Sequence, residues 1–336
     1  MFRAIRPAVV IVVIASAASS GAAITATAQT RLDIAAFEGS TNLPLWIAMD
    51  RGYFAKENLS VTLSATKGAI PQMQDTMAGK YQIASTAMDN LAGFAEGQSG
   101  VEPPPGFDVV ALAGVHSGSN YVIARPEIKS FADIRGKVVS VDALQSGYGF
   151  VLYRILEDNG LKLNADYRVI AVGSGPGRLD SMKAGTSVAA VLSAPNDLQA
   201  KRLGFNNLGD TTEAISAYQA TTYAARRSWA SSHPEETKAF LRAMIAASDF
   251  VFAQRAASIA SLRTHIKSLS DEQAETVYDS LVSGKGGFNR KLAMNMAGVK
   301  MVLGLRSRYA EPKMTLTDPH KYIDLRFYDE VMKDLK

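Results

Sequence analysis

The 336-residue chain has no cysteine. That removes disulfide frameworks, thiolate metal sites, iron–sulfur clusters and cysteine nucleophiles together, so stability has to come from buried apolar surface. Histidine is scarce too. His116, His233, His265 and His320 stand far apart, and none has the H-E-x-x-H spacing that sets two zinc ligands on one helix face. No G-x-S-x-G elbow and no G-x-x-x-x-G-K-[ST] loop occurs. Those gaps exclude the hydrolase serine and the phosphate cradle that such motifs build. Basic runs and aromatic-interleaved basic stripes are also missing, so nucleic acid is a poor partner. No catalytic residue, metal or cofactor is assigned.

Long apolar runs are absent apart from one near the start. Ala8–Ala15 follows Arg3 and Arg6 and precedes small residues ending Ala26-Thr27-Ala28. A charged start, a short apolar core and an A-x-A end make a secretory signal peptide. The run falls short of the roughly 20 residues a membrane span needs. Cleavage before Gln29 would release a periplasmic protein. The formal charge of +4 then shrinks: 36 basic and 32 acidic residues lose Arg3 and Arg6, leaving 34 against 32.

What is present is an alternation of short β-rich runs and helical stretches. Strands are expected at Arg31–Phe37, Ser60–Thr66, Gln82–Ala87, Asp108–Val115, Tyr121–Ala124, Lys137–Asp142, Tyr167–Val172 and Val188–Leu192. Helices fall between them at Leu43–Glu57, Ile70–Gly79, Asn90–Gly97, Gly147–Asn159, Gly177–Ala184 and Asp197–Leu203. This is the pattern of βαβ units and an α/β fold with mostly parallel sheets. After Thr222 the chain turns helical. Pro234 with two following acids opens one helix, Ser270-Asp-Glu-Gln273 is a capping box, and further helices run over about 289–306 and beyond Asp324.

Gly173-Ser-Gly175-Pro-Gly177 reads as a strand-to-helix turn, because its third glycine falls one place early for a dinucleotide loop and a proline interrupts it. His116-Ser-Gly-Ser-Asn120 is a polar, flexible seam after which the β/α pattern restarts. It suggests a hinge between two blocks, with a return near Ala214–Ala217.

In open α/β sheets ligands lie beyond the carboxyl ends of strands, where helix N-termini point into a crevice. Three such junctions are rich in small polar residues: Glu38-Gly-Ser-Thr-Asn42, Thr86-Ala-Met-Asp-Asn90 and Ala143-Leu-Gln-Ser-Gly-Tyr-Gly149. The candidate ligand-binding set is Glu38, Ser40, Thr41, Asn42, Asp89, Asn90, His116, Ser146, Gly147, Tyr148 and Ser193. Asp89 could equally cap its own helix, and His116 could be structural. Arg178 opens a helix and could face either cleft or solvent. A helix N-terminus favours an anionic or acceptor-rich ligand, whereas inward-facing Glu38 and Asp89 would favour one that also carries N–H donors.

Leu43–Leu59, with Trp46 and then Gly52-Tyr53-Phe54, resembles the signature of substrate-binding proteins of nitrate, sulfonate, taurine and thiamine-pyrimidine ABC importers. Ser130–Ser140 (SFADIRGKVVS) and Tyr322–Phe327 (YIDLRF) are similar to later blocks of that family, in the expected order. Tyr81-Gln82 departs from it, standing where an acid is commoner. The resemblance implies a two-lobed type II periplasmic-binding fold, with 29–123 plus 217–336 as one lobe and 124–216 as the other. It also implies a monomer that takes a small-molecule ligand by lobe closure and docks on a membrane permease with its ATPase. The enzymatic branch, the fungal-type thiamine-pyrimidine synthases, depends on a cysteine-rich motif that a cysteine-free chain lacks. Alternatives are a ligand-sensor subunit and an enzyme using a cleft histidine or carboxylate.

Overall fold

A computed structural model describes residues 29–335; the expected export signal, residues 1–28, lies outside them. Ten strands form two five-stranded sheets. The first contains β1 (Thr30–Ala36), β2 (Leu59–Ala65), β3 (Ile83–Ala87), β4 (Val109–His116) and β10 (Thr221–Arg226), in the order β2-β1-β3-β10-β4. The second contains β5 (Tyr121–Ala124), β6 (Val138–Val141), β7 (Arg168–Ala171), β8 (Ala189–Leu192) and β9 (Asn206–Asp210), in the order β7-β6-β8-β5-β9. Within each sheet one strand opposes the rest: β10 is antiparallel to β3 and β4, and β5 to β8 and β9. The opposing strand is in each case the first one laid down after the chain crosses from the other sheet. The two sheets therefore share one topology, and each has a switch point where helices leave neighbouring strands in opposite directions.

The helices are α1 (Leu43–Asp50), α2 (Tyr53–Lys56), α3 (Ala69–Met77), α4 (Met88–Ala95), α5 (Gly147–Asp158), α6 (Gly175–Lys183), α7 (Asn196–Arg202), α8 (Thr211–Ala214), α9 (Arg227–Ser232), α10 (Pro234–Ala253), α11 (Arg255–His265), α12 (Asp271–Val282), α13 (Met296–Tyr309) and α14 (Arg326–Asp334). The single helix expected over Leu43–Glu57 is two helices, because Gly52 turns into the left-handed region (φ 67°). The helix expected from about Asn289 starts only at Met296. Lys291 and Leu292 adopt positive φ in a short 3-10 turn before it, and the Asn295 side chain accepts from Gly298 N–H as its cap. At Ser270 the capping box forms as the sequence suggests, with Gln273 reaching back to the Ser270 backbone.

Every residue of β4 is buried, as expected of a strand covered on both faces. One core lies between the first sheet and α1, α10, α12 and α14; it includes Trp46, Phe54, Tyr223 and Phe240, and the half-buried Tyr53 packs on it. A second core joins the two halves: Leu91 and Phe94 of α4, Phe150 and Leu152 of α5, and Val299 and Val302 of α13 pack in one cluster. The C-terminal α13 packs against both α4 and α5. Among the described residues no helix is long and apolar enough to cross a membrane.

Candidate functional site

The chain passes between the sheets twice, through 117–120 and through 211–220. These crossings are tied together. Thr211 N–H donates to the Asn120 carbonyl at 2.9 Å, and the Thr211 hydroxyl donates to the Gly118 carbonyl at 3.2 Å. His116, at the end of β4, belongs to this seam. It is buried, its Nδ1 accepts from Gly118 N–H at 3.0 Å, and its ring meets Phe288 edge to face. Burial lowers its pKa to about 4, so it is neutral at physiological pH, and it packs against the first crossing.

The strand ends flanking both switch points face one another across the cleft. The junction between β1 and α1 meets the one between β8 and α7: the Ser40 hydroxyl lies 3.5 Å from the Ala194 carbonyl, the outer limit of a hydrogen bond. Ser193 is half-buried beside it. Asn42 is buried and donates to the Phe37 carbonyl at 2.6 Å, shaping its own turn. Thr41 is half-buried and Glu38 is exposed, so Glu38 does not stand in the closed centre.

On the opposite side the start of α4 meets the start of α5. Ser146 caps α5 by accepting from Gly149 N–H at 3.1 Å, and its hydroxyl is bonded to Asp142. Gly147 lies flat against Asp89 and Tyr218. A Cβ at 147 would stand 2.4 Å from the Tyr218 hydroxyl and 2.7 Å from Asp89 Cβ, so only glycine allows this approach. The Tyr148 ring lies 6.2 Å from that of Tyr218. Asn90 donates to Thr86 Oγ1 at 3.1 Å, holding the first turn of α4.

Asp89 does not cap its helix: the cap position is Ala87, with no side-chain bond there. Its carboxylate pairs instead with Arg306 of α13, Nη1 to Oδ2 at 2.8 Å, and both groups are buried. Arg306 also donates through Nη2 to the Gln98 carbonyl at 2.6 Å and through Nε to Gln98 Oε1 at 3.2 Å. Its guanidinium lies 5.3 Å from the Phe150 ring centre. Gly93 makes room for it, since a Cβ there would fall 2.7 Å from Nη2. Burial pushes the Asp89 pKa up against the pull of Arg306. The Gly147 amide adds a weak pull but does not reach hydrogen-bond geometry, so Asp89 Oδ1 is left buried without a partner.

Arg178 faces neither solvent nor an open cleft. It is buried and donates to the Val191 and Gly173 carbonyls, both at 3.0 Å, with Nη1 3.8 Å from Asp142. Sequence reasoning missed Arg306, Tyr218 and Asp142. Arg306 looked like an ordinary basic residue in the last turn of a helix, and nothing local marks a partner so far away in the chain. A cavity of about 310 Å³ adjoins the two crossings, lined among others by Tyr148, Thr211, Tyr218 and Asn295. Among the described residues no cluster of His, Asp or Glu could hold a metal ion.

Two topologically equivalent α/β lobes, two crossings and paired strand-end loops define the two-lobed type II periplasmic-binding fold. The chain belongs to the NMT1-like family, whose model matches residues 25–263. Among curated proteins no match is found. Similar solved structures include the nitrate-binding protein NrtA of Synechocystis PCC 6803 (14% identity, TM-score 0.74, covering 91% of this chain and 89% of that one). The aliphatic sulphonate-binding protein SsuA of Escherichia coli is also similar (19%, 0.68, 88% and 92%). So is the ligand-binding component of an ABC-type import system from Staphylococcus aureus (13%, 0.74, 90% and 99%).

Proposed function

We propose that this chain is a periplasmic solute-binding protein of an ABC importer, which takes a small organic molecule between its lobes and presents it to a membrane permease. The observation that carries this reading is the convergence of four strand-end loops, two from each switch point, on one cleft bridged by two crossings. The lobes would be 29–123 with 217–336, and 124–216. The segment pairs 117–120 and 214–217 would flex on closure, a recurrent transition of two-lobed binding proteins. Both walls of the cleft come from one chain, so a monomer suffices.

The arrangement supports binding over catalysis. Buried His116 is neutral and accepts from Gly118 N–H, and the Asp89 carboxylate is paired with Arg306, so neither of these two is poised as a general base. Export through residues 1–28 is part of the same reading. Family membership and the names of the similar structures support it further.

Native mass spectrometry of the protein, equilibrated with a small-metabolite extract and desalted, tests the reading. One solute mass per chain is expected. The same solute at 100 times its dissociation constant should add about 2.7 kcal/mol of apparent stability. A chain that retains no solute, with an unchanged melting temperature, would argue against the proposal.

A further inference from the structure

The two sides of the cleft are held together very differently. Where α5 meets α13, the fully buried Phe150 ring stacks on Tyr309 with ring centres 6.1 Å apart, and Tyr153 meets Tyr309 edge to face at 6.0 Å. Arg308 Nε donates to Glu157 Oε2 at 3.0 Å, and the Tyr309 hydroxyl donates to the same carboxylate. Just past α13, Glu311 N–H donates to Gln145 Oε1 at 2.6 Å. The start of α13 is seated at the crossings, where Asn295 N–H donates to the buried Gln219 side chain at 2.9 Å. Helix α13 is thus wedged between α4 and α5, and Arg306 ties it to α4 through Asp89. Parting α5 from α13 would expose buried aromatic surface and break these polar contacts together.

The opposite side, between α7 and α12, is thin. Among the described residues its one side-chain hydrogen bond across the cleft joins Ser40 to the Ala194 carbonyl, at the 3.5 Å limit. The second lobe's apolar contribution there is Ala194 and Leu198, both half-buried, packed on the first core. Beside them a groove of about 540 Å³ runs between the helices, with Lys201 and Arg202 on its α7 wall and Glu272, Gln273 and Thr276 on its α12 wall. Among the described residues no ion pair spans it, and Lys201 pairs within α7, 3.7 Å from Asp197. Regions with few buried contacts are the ones that open at least cost.

We propose that opening is one-sided: α5 stays seated on α13, the lobes part between α7 and α12, and the solute enters through that groove. This route rests on the reading of the cleft as a solute site. The unlike charges of the two walls attract one another as the gap narrows, weakly because they are exposed to solvent.

Pulsed double electron–electron resonance on the mature protein tests it with two pairs of spin labels. The chain has no cysteine of its own, so labels sit only where cysteines are introduced. One pair, Arg202→Cys with Glu272→Cys, spans the groove; the other, Asp158→Cys with Lys300→Cys, links α5 to α13. All four positions are exposed. In protein freed of solute by unfolding and refolding, the groove pair should show a population more than about 2 Å longer than in protein equilibrated with small-metabolite extract. The α5–α13 pair should give the same narrow distance in both states. Lengthening of the α5–α13 pair, alongside the groove pair or instead of it, would overturn one-sided opening and leave the solute-binding reading intact. Unchanged distances at both pairs would overturn it as well. The solute-binding reading fails on a different result, a chain that retains no solute mass from the extract.

Discussion

Arg306 and Asp89, 217 positions apart in sequence, meet inside a core that both halves of the molecule share. Removing one partner of such a buried pair leaves a charge without compensation, typically a loss of about 3–5 kcal/mol. Arg306→Met is therefore expected to lose stability on that scale in urea melts; a loss under about 1 kcal/mol would mean the pair does not organise the site. His116 gives a pH signature. Its pKa is about 4 in the folded protein against an ordinary 6.5. Between those values the unfolded chain holds a proton the folded chain does not, so stability is full above the ordinary value and drains away as pH falls toward 4. The contribution is at most about 3 kcal/mol. His116→Gln should flatten the acid limb of the stability curve relative to the parent; identical limbs would place the titration elsewhere.

At the scale of elements, α5 depends on its cap. Ser146→Ala removes an N-cap acceptor and a bond to Asp142, and should cost about 1 kcal/mol of stability in thermal melts. No change in melting temperature would show that the α5 start is held by lobe packing alone. The apolar strands were legible in the sequence because their runs are continuous: β4 reads VVALAGVH and is buried at every position. Two strands were not. The β9 segment, NNLGD, is polar and half-exposed, and it pairs only along β5, so no period or propensity marks it. The β10 segment, TTYAAR, sits at the entrance to the helical third and is fixed by pairing with β3 and β4, contacts distant in sequence. α11 follows α10 after a single residue, Gln254, which leaves no loop signature between them. Within the site, Ser146–Tyr148 and Asp89 were readable as strand-to-helix junctions. The role of Gly147 as a contact surface for Asp89 and Tyr218 was not, because it exists only when the two halves meet.

At the scale of the whole molecule, one core runs from α4 through α13 to α5, while on the other side of the cleft the first and second halves touch at Ser40 and Ala194. Four loops from distant parts of the sequence thus stand against one another, and a solute bound among them would have to order all four. Hydrogen–deuterium exchange of the mature protein, with and without the solute captured from metabolite extract, measures this directly. Peptides covering 38–43, 88–92, 144–150 and 193–197 should gain protection together, with the crossings at 117–120 and 211–217 slowed as well. Protection confined to a single lobe, or concentrated away from these four loops, would contradict binding in the inter-lobe cleft.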